Sequence, residues 1–206
     1  MPDGYADMLA PMAAPDLTAP VLLVAMPQVA DPFFRKSVVL LLAHEDEGSF
    51  GFIVNRATEL KVTDILRDLE VDWRGDPATV ASFGGPVQPQ VGTMLFAAAE
   101  TASISALKDA SEVLPGIRLS QNLSELALLA EAPPERFRLI LGYAGWGAGQ
   151  LVSEIVRNDW LTVPVDEELI FGDEPEKAWE RGLRSVGVDP STLPAWTGDD
   201  SGEAPN

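Results

Sequence analysis

Apolar residues run in short, nearly uninterrupted blocks along much of this chain, and several blocks end at Pro, Gly or acidic residues. Blocks of this length, bounded by turn residues, are typical of buried strands. Val21–Pro27, Ser37–His44 and Phe50–Arg56 predict three strands, and the acidic, Gly-containing turn before Phe50 predicts that the last two form a hairpin. Later blocks predict four more strands: Thr79–Val87, Val91–Ala99, Glu112–Ser120 with a kink at Pro115–Gly116, and Arg136–Ala144.

Other segments repeat their apolar residues at helical spacing. They are Val62–Leu69, Asn122–Ala132, Gln150–Asp159 and Glu174–Gly187. Asn122, followed three residues later by Glu125, resembles a capping box at the start of its helix. Because strands outnumber helices and often follow one another directly, the pattern favours an α+β fold with a mixed, partly antiparallel sheet over a doubly wound parallel sheet.

The composition is that of one globular domain, with 206 residues that are 46% hydrophobic and 22% charged. Residues 18–196 are predicted to form a single α+β domain between a flexible, Pro- and Ala-rich N-terminal tail (1–17) and a flexible acidic C-terminal tail (197–206). The N-terminus lacks the pattern of a signal peptide, and the apolar blocks are too short to span a bilayer. We therefore predict a soluble, cytoplasmic protein without a membrane segment.

The net charge of −18, from 14 basic and 32 acidic residues, narrows the choice of partners. Nucleic-acid binding draws much of its affinity from Lys and Arg that neutralise phosphates, and no basic cluster or helix-turn-helix pair is visible. The same charge repels anionic membranes. The charge therefore disfavours direct binding of nucleic acid and favours a basic partner or a protein partner.

The reactive side chains are few, since the chain has no cysteine and a single histidine, His44. Disulfides, thiolate metal sites, cysteine nucleophiles and sites with several histidines are therefore excluded. No G-x-S-x-G elbow holds a serine, and the acidic stretches lack the spacing of a calcium loop. The sequence predicts no metal and no cofactor, contains no catalytic constellation that we recognise, and favours a protein without enzymatic activity.

The stretch LGYAGWGAGQL (Leu141–Leu151) has the glycine density of a phosphate-binding loop. A Walker loop would continue with Lys and Ser/Thr, where this chain has Ala148 and Gly149, and the dinucleotide fingerprint fails at Gln150. We therefore predict a tight strand-to-helix corner packed around Trp146, because glycine permits close backbone approach. The alternative, an anion site at the start of the following helix, stays open.

Three blocks carry a resemblance to a known family. They are Ala25–Arg56 (AMPQVADPFFRKSVVLLLAHEDEGSFGFIVNR), the stretch FGGPVQ that begins at Phe83, and Leu141–Pro164 (LGYAGWGAGQLVSEIVRNDWLTVP). In order and spacing they resemble the bacterial AlgH/YqgE family over about residues 20–190. The resemblance implies an α+β fold with a mixed, strongly coiled, mostly antiparallel and barrel-like sheet and flanking helices.

The resemblance says less about activity, because the family is largely uncharacterised and supplies no catalytic residues. One branch bears the name of a transcriptional regulator, which implies a non-enzymatic regulatory role through a protein partner. The alternative is a small-ligand or anion-binding protein or an enzyme that uses the Gly142–Gln150 loop, with a pocket where this loop, the FGGPV turn and His44 converge. Motif positions make up the candidate ligand or interaction site: Asp31, His44, Asn55, Gly85, Gly145, Trp146, Gly147 and Gln150.

Overall fold

A computed structural model describes residues 17–100 and 106–194. The predicted N-terminal tail, apart from Leu17, and the predicted C-terminal tail (197–206) lie outside the described residues. Within the described part of the chain, no helix has both the length and the apolar character needed to cross a membrane.

The described chain contains ten strands and five α-helices. The strands are β1 (Val21–Ala25), β2 (Val38–Glu45), β3 (Gly48–Ile53), β4 (Ala57–Lys61), β5 (Val80–Phe83), β6 (Val87–Ala97), β7 (Ser111–Leu114), β8 (Ile117–Ser120), β9 (Phe137–Gly147) and β10 (Trp160–Val163). The helices are α1 (Val62–Asp68), α2 (Leu123–Glu131), α3 (Gln150–Val156), α4 (Glu167–Phe171) and α5 (Ala178–Ser185). This confirms the α+β class, with a mixed, strongly curled, mostly antiparallel sheet and flanking helices.

The long strand β9 joins the two parts of the sheet. Eight strands follow the order β10-β1-β2-β3-β9-β6-β8-β7, and β4 and β5 form a side branch. On one side β9 pairs antiparallel with β6; on the other it pairs parallel with β5 at Ile140 and Leu141 and antiparallel with β3 from Ala144 to Gly147. The last residues of β9 before α3 therefore pair with β3 alone, beyond the residues that pair with β5 and β6.

The core lies on both faces of the sheet, as the alternation along β1 illustrates. Leu22 and Val24 pack into the cluster that contains Trp179 of α5, whereas Leu23 and Ala25 pack into a second cluster with Trp146 and Trp160. The indole of Trp179 donates to the carbonyl oxygen of Ala25 at 2.7 Å. A surface beside Trp146 and the surface of α5 therefore lie on opposite faces of β1.

Two sequence predictions need correction, and three elements were not predicted. The block Glu112–Ser120 is not one kinked strand but parts of β7 and β8, which pair as a hairpin around Pro115–Gly116. The glycine stretch is not a corner from its start, because β9 continues through Gly147 and only Ala148 and Gly149 separate it from α3. The unpredicted elements are β4, β10 and α4.

The two glycine motifs contact each other closely. A Cβ on Gly84 would lie 2.4 Å from the carbonyl oxygen of Gly142, and one on Gly142 would lie 2.4 Å from that of Gly85. Such distances leave no room for a side chain, so the FGG turn and β9 meet backbone against backbone. These glycines therefore allow two segments of the chain to pack closely against each other.

Candidate functional site

A surface cavity of about 260 Å³ lies where the segment after β1, the end of β9 and helix α3 meet. We call it the tryptophan pocket. Its lining includes Asp31, Phe34, Trp146, Gln150, Glu154 and Trp160. Its position follows from the short Ala148–Gly149 turn, which places α3 beside the strand end that it follows.

The carboxylate of Glu154 organises this pocket. Its Oε2 accepts hydrogen bonds from the indole Nε1 atoms of Trp146 and Trp160, each at 2.8 Å, and its Oε1 accepts one from the Gln150 side-chain amide at 2.9 Å. Gln150 and Glu154 are four residues apart, so they share one face of α3. One carboxylate thus fixes three side chains, and bonds to a charged acceptor are stronger than neutral ones.

Aromatic rings form the base of the pocket. Trp146 and Trp160 are only 6% and 5% exposed, and their ring centroids are 5.9 Å apart in an edge-to-face arrangement. Phe34 contacts both, at 6.1 Å and 5.8 Å between centroids. Aromatic pairs in such geometries attract each other beyond the area they bury, so the base of the pocket is held rigidly.

The loop that supplies Asp31 and Phe34 is braced by Arg56. Its Nη1 donates to the carbonyl oxygen of Pro32 at 2.9 Å and its Nη2 to that of Arg35 at 2.6 Å. Burial, followed by repulsion from Arg35, lowers the pKa of Arg56, and attraction to Asp31 opposes the change. The guanidinium stays charged at neutral pH because its pKa starts far above 7.

The charges around the pocket are mostly negative. Asp31, Glu154 and Asp159 line it with a single guanidinium, that of Arg157, which pairs with Asp159 at 2.7 Å. Asp31 is exposed, and its Oδ1 accepts the backbone N–H of Phe33 at 2.8 Å. The pocket therefore combines aromatic rings with excess negative charge, a combination that attracts cations.

Sequence reasoning selected eight site residues, and the structure brings four of them to this pocket: Asp31, Gly145, Trp146 and Gln150. A fifth, Gly147, lies beside it and donates its backbone N–H to Oε1 of Gln150 at 3.1 Å. The central residue, Glu154, was missed. The one available signal was that Glu154 lies four residues after Gln150 on a predicted helix. A carboxylate that contacts only solvent can occupy the same position, so this spacing does not mark a site residue.

The other three predicted residues lie outside the pocket, which corrects the expected convergence. His44 lies near the end of β2, with Nδ1 2.7 Å from the hydroxyl of Ser49. Gly85 packs against β9, where a Cβ would lie 2.2 Å from the carbonyl of Tyr143. The FGGPV turn and the glycine stretch do meet, but as packed backbone, and His44 does not line the pocket.

Asn55 clamps the chain that leads from the Asp31 loop into β2. Its Oδ1 accepts the buried backbone N–H of Val38 at 2.7 Å, and its Nδ2 donates to the carbonyl oxygen of Lys36 at 2.9 Å. A buried N–H that loses its acceptor costs about 1–3 kcal/mol. The role that these contacts indicate for Asn55 is to position the backbone.

We expect Asn55→Ala to lower the free energy of unfolding by about 2 kcal/mol, because both hydrogen bonds are lost and the N–H of Val38 stays buried. Urea titration followed by circular dichroism measures the loss. The matched control is Gln90→Ala at an exposed amide, which should change stability by less than about 0.5 kcal/mol. Equal stabilities of the two variants would contradict the structural role of Asn55.

No group of three or more His, Cys, Asp or Glu side chains that could hold a metal ion occurs among residues 17–100 and 106–194. The tryptophan pocket is lined by aromatic rings and carboxylates, with an excess of negative charge.

Fold and pocket define a class: an α+β protein whose curled, mostly antiparallel sheet presents a tryptophan- and carboxylate-lined pocket beside a glycine-rich strand end. The chain belongs to the AlgH-like family (DUF179), whose sequence model matches residues 22–191. This confirms the resemblance drawn from the three sequence blocks.

Individual relatives agree with this assignment. The chain is 42% identical to a UPF0301 protein of Myxococcus xanthus over 176 residues, which cover 85% of this chain and 94% of that protein. It is also 42% identical to a UPF0301 protein of Methylococcus capsulatus, over 85% of this chain and 93% of the relative. The solution structure of the AlgH protein from Pseudomonas aeruginosa matches with a TM-score of 0.67 at 32% identity, over 83% of this chain and 89% of that one.

A more distant structure shares the fold alone. It is the crystal structure of a Corynebacterium diphtheriae protein, with a TM-score of 0.63 at 20% identity over 80% of this chain and 85% of that one. The family model and the UPF0301 relatives together establish an AlgH-like protein of the UPF0301 group.

Proposed function

We propose that this AlgH-like protein is a non-enzymatic regulatory protein of the cytoplasm that binds a basic protein partner through the tryptophan pocket. One observation carries the proposal: the Glu154 carboxylate holds the indoles of Trp146 and Trp160 and the amide of Gln150 in one arrangement. Side chains that are ordered before binding lose little further conformational entropy when a partner arrives. The pocket is therefore prepared for recognition.

The size and charge of the pocket favour one inserted side chain of a partner. Its 260 Å³ is below the range of roughly 300–1,000 Å³ that is common for small-molecule sites. Aromatic rings and carboxylates together favour Lys or Arg, through cation–π contact and charge-assisted hydrogen bonds. The net charge of −18 would attract a basic protein from solution.

Direct DNA binding is not part of the proposal. A surface with 32 acidic and 14 basic residues repels phosphates, and several of the described cations already pair with carboxylates, among them Arg67, Arg136, Arg157 and Arg181. Any effect on transcription would pass through the protein partner. A gel-shift titration at about 150 mM salt should accordingly detect no specific complex with DNA.

The alternative of an anion or small-ligand site on the Gly142–Gln150 loop stays a prediction that the geometry does not favour. The backbone N–H of Gly147 is already bonded to Gln150, and helix α3 is only seven residues long. Gly142 packs against the FGG turn. The N–H groups of the first turn of α3 have no side-chain cap, so an anion site would have to rest on them alone.

The proposal is tested by affinity capture from native lysate at about 150 mM salt with three matched baits. They are the unchanged protein, Gln150→Lys in the pocket, and Glu180→Gln on α5, which lies on the opposite face of β1. Each substitution raises the net charge by one. Gln150→Lys would place a positive charge of the protein itself in the pocket. This charge would repel the cation of the partner.

We expect a saturable, basic partner to be captured by the unchanged protein and by Glu180→Gln, and at least fivefold less by Gln150→Lys. Circular dichroism should show that all three baits are equally folded. Capture that is the same with all baits, or the absence of any saturable partner, would refute the pocket as a protein-binding site.

A further inference from the structure

A second and larger cavity, of about 550 Å³, lies on another part of the molecule. It is bounded by β4 and β5, by the segment between α1 and β5, by the start of β9 and by the chain that follows α4. We call it the arginine cavity, after Arg138, which lines it. None of the eight residues predicted from the sequence lines it, and its volume falls within the range common for small-molecule sites.

Arg138 is held in place by backbone carbonyls. Its Nε donates to the carbonyl oxygen of Ile170 at 2.5 Å and its Nη2 to that of Gly172 at 3.1 Å. Burial lowers the pKa of Arg138, and attraction to Asp173 opposes the change. Neutral carbonyls orient the guanidinium without neutralising it, and the structure gives it no ion pair with a described carboxylate within 4 Å.

One nitrogen of this guanidinium keeps its hydrogen-bonding capacity. Nη1 of Arg138 has no acceptor among the described residues. In the part of the chain that the structure describes, the one buried side-chain nitrogen or oxygen without a partner is Oγ of Ser37. Nη1 is therefore accessible from outside the protein, on a residue that lines the cavity.

Ser82 supplies a second polar group. It is only 3% exposed, lines the same cavity, and its hydroxyl has no partner among the described residues. Strands β5 and β9 are parallel here, with Ser82 opposite Ile140. Arg138 precedes Ile140 by two residues, so Ser82 and Arg138 project from the same face of the sheet. The accessible hydroxyl of a mostly buried serine and an oriented guanidinium thus share one cavity.

Another part of the lining is aromatic and apolar. The rings of Trp73 and Phe137 lie 5.3 Å apart between centroids at an angle of 38°. The Trp73 indole donates to the carbonyl oxygen of Asp76 at 3.0 Å, which fixes the ring. Because Gly75 has no side chain, the backbone can pass close to the Trp73 ring; a Cβ at this position would lie 2.4 Å from the ring. The aromatic wall is therefore ordered and suited to a planar apolar group.

The remaining charges limit the ligand class. The carboxylates of Asp76, Glu135 and Asp173 also line the cavity, against the single guanidinium of Arg138. These carboxylates oppose any anion, and they oppose a ligand with several negative charges, such as a nucleotide, most strongly. Unlike Arg157 in the tryptophan pocket, Arg138 has no ion pair with a described carboxylate, so its charge is available to a single negative group. One carboxylate on the guanidinium forms a favourable pair, and Arg is well shaped for carboxylates.

We propose that the arginine cavity binds a small carboxylic acid with a planar, apolar body. The carboxylate accepts hydrogen bonds from Nη1 of Arg138 and from the hydroxyl of Ser82, and the planar body packs against Trp73 and Phe137. This site is separate from the tryptophan pocket, so a failure of either proposal would leave the other unaffected.

The test uses phenylacetate as the probe and ¹⁵N-labelled protein, with the Nε–H signals of Arg138 and Trp73 as reporters. A ligand of this size is expected to bind with a Kd of about 1 mM. Phenylacetamide, which lacks the charge, and phenyl phosphate, which carries nearly two charges, should each bind at least tenfold more weakly. Equal binding of all three, or no shifts up to about 20 mM phenylacetate, would overturn the proposal.

Variants locate the binding in the cavity. Arg138→Gln should weaken phenylacetate binding at least tenfold, and Ser82→Ala about threefold, because each removes a donor to the carboxylate. Arg184→Gln on α5, which removes an exposed guanidinium paired with Glu180, should leave the Kd unchanged. If Arg138→Gln does not fold, Ser82→Ala decides the question, and an unchanged Kd in that variant would refute the site.

Discussion

Replacing Gly85 with alanine is expected to cost about 4 kcal/mol or more of the free energy of unfolding, which is a large fraction of the stability of a typical domain. Gly85 is buried with φ of +149°, a conformation that residues with a side chain rarely adopt. Its Cβ would lie 2.2 Å from both the carbonyl carbon and the carbonyl oxygen of Tyr143. Backbone atoms of β9 can make room only if the strand shifts away from the FGG turn.

Gly116→Ala is the matched control for this variant. Gly116 also has positive φ, +76°, but no atom lies within 4 Å of the position of its Cβ. Only the backbone conformation is strained there, so a loss of about 1 kcal/mol is expected. Urea unfolding of both variants, followed by circular dichroism, measures the difference. A loss for Gly85→Ala no larger than that for Gly116→Ala would show that the close packing is not as described.

Replacing Glu154 with alanine is expected to lower the free energy of unfolding by about 3 kcal/mol. The indole N–H groups of Trp146 and Trp160 would lose their shared acceptor while both side chains remain almost fully buried. Each buried donor left without a partner costs about 1–3 kcal/mol, and the acceptor that is lost here is charged. The Gln150 amide would lose its partner as well.

Two further variants test whether the loss in Glu154→Ala comes from the hydrogen bonds of the carboxylate. Glu154→Gln keeps an oxygen of the same shape in place, so a loss of about 1 kcal/mol is expected. Glu180→Ala on α5 removes an exposed carboxylate paired with Arg184, which should cost less than about 0.5 kcal/mol. Tryptophan fluorescence and urea unfolding provide the measurements. If Glu154→Ala were as stable as Glu180→Ala, the carboxylate would not organise the pocket.

Much of the fold could be predicted because it depends on the pattern of residues that are close together in the sequence. The hairpin of β2 and β3 is confirmed, since apolar strands joined by an acidic turn leave few alternatives. Asn122 caps α2 as expected, with its side chain accepting from the N–H groups of Ser124 and Glu125. Glu125 does not complete a capping box; its carboxylate instead accepts from the N–H of Asp109 and the hydroxyl of Ser120. That choice depends on chain segments distant from the helix.

The candidate site could be predicted only in part. The motif positions Asp31, Gly145, Trp146 and Gln150 do meet at one pocket. Asn55 and Gly85 belong to the same motifs, yet their contacts are with the protein's own backbone. A short sequence motif cannot separate these cases, because close packing and ligand binding both demand particular residues at particular positions.

The sequence by itself determined the family, the α+β class, the positions of most strands and helices, and an acidic chain without cysteine chemistry. These properties depend on composition and short-range spacing, which are read directly along the chain. The tertiary structure alone decided that Glu154 joins two tryptophans 14 residues apart, and that Arg138 and Ser82 line one cavity. Such groupings depend on which strands pair and in which register, and a shift of one residue would turn each side chain to the other face.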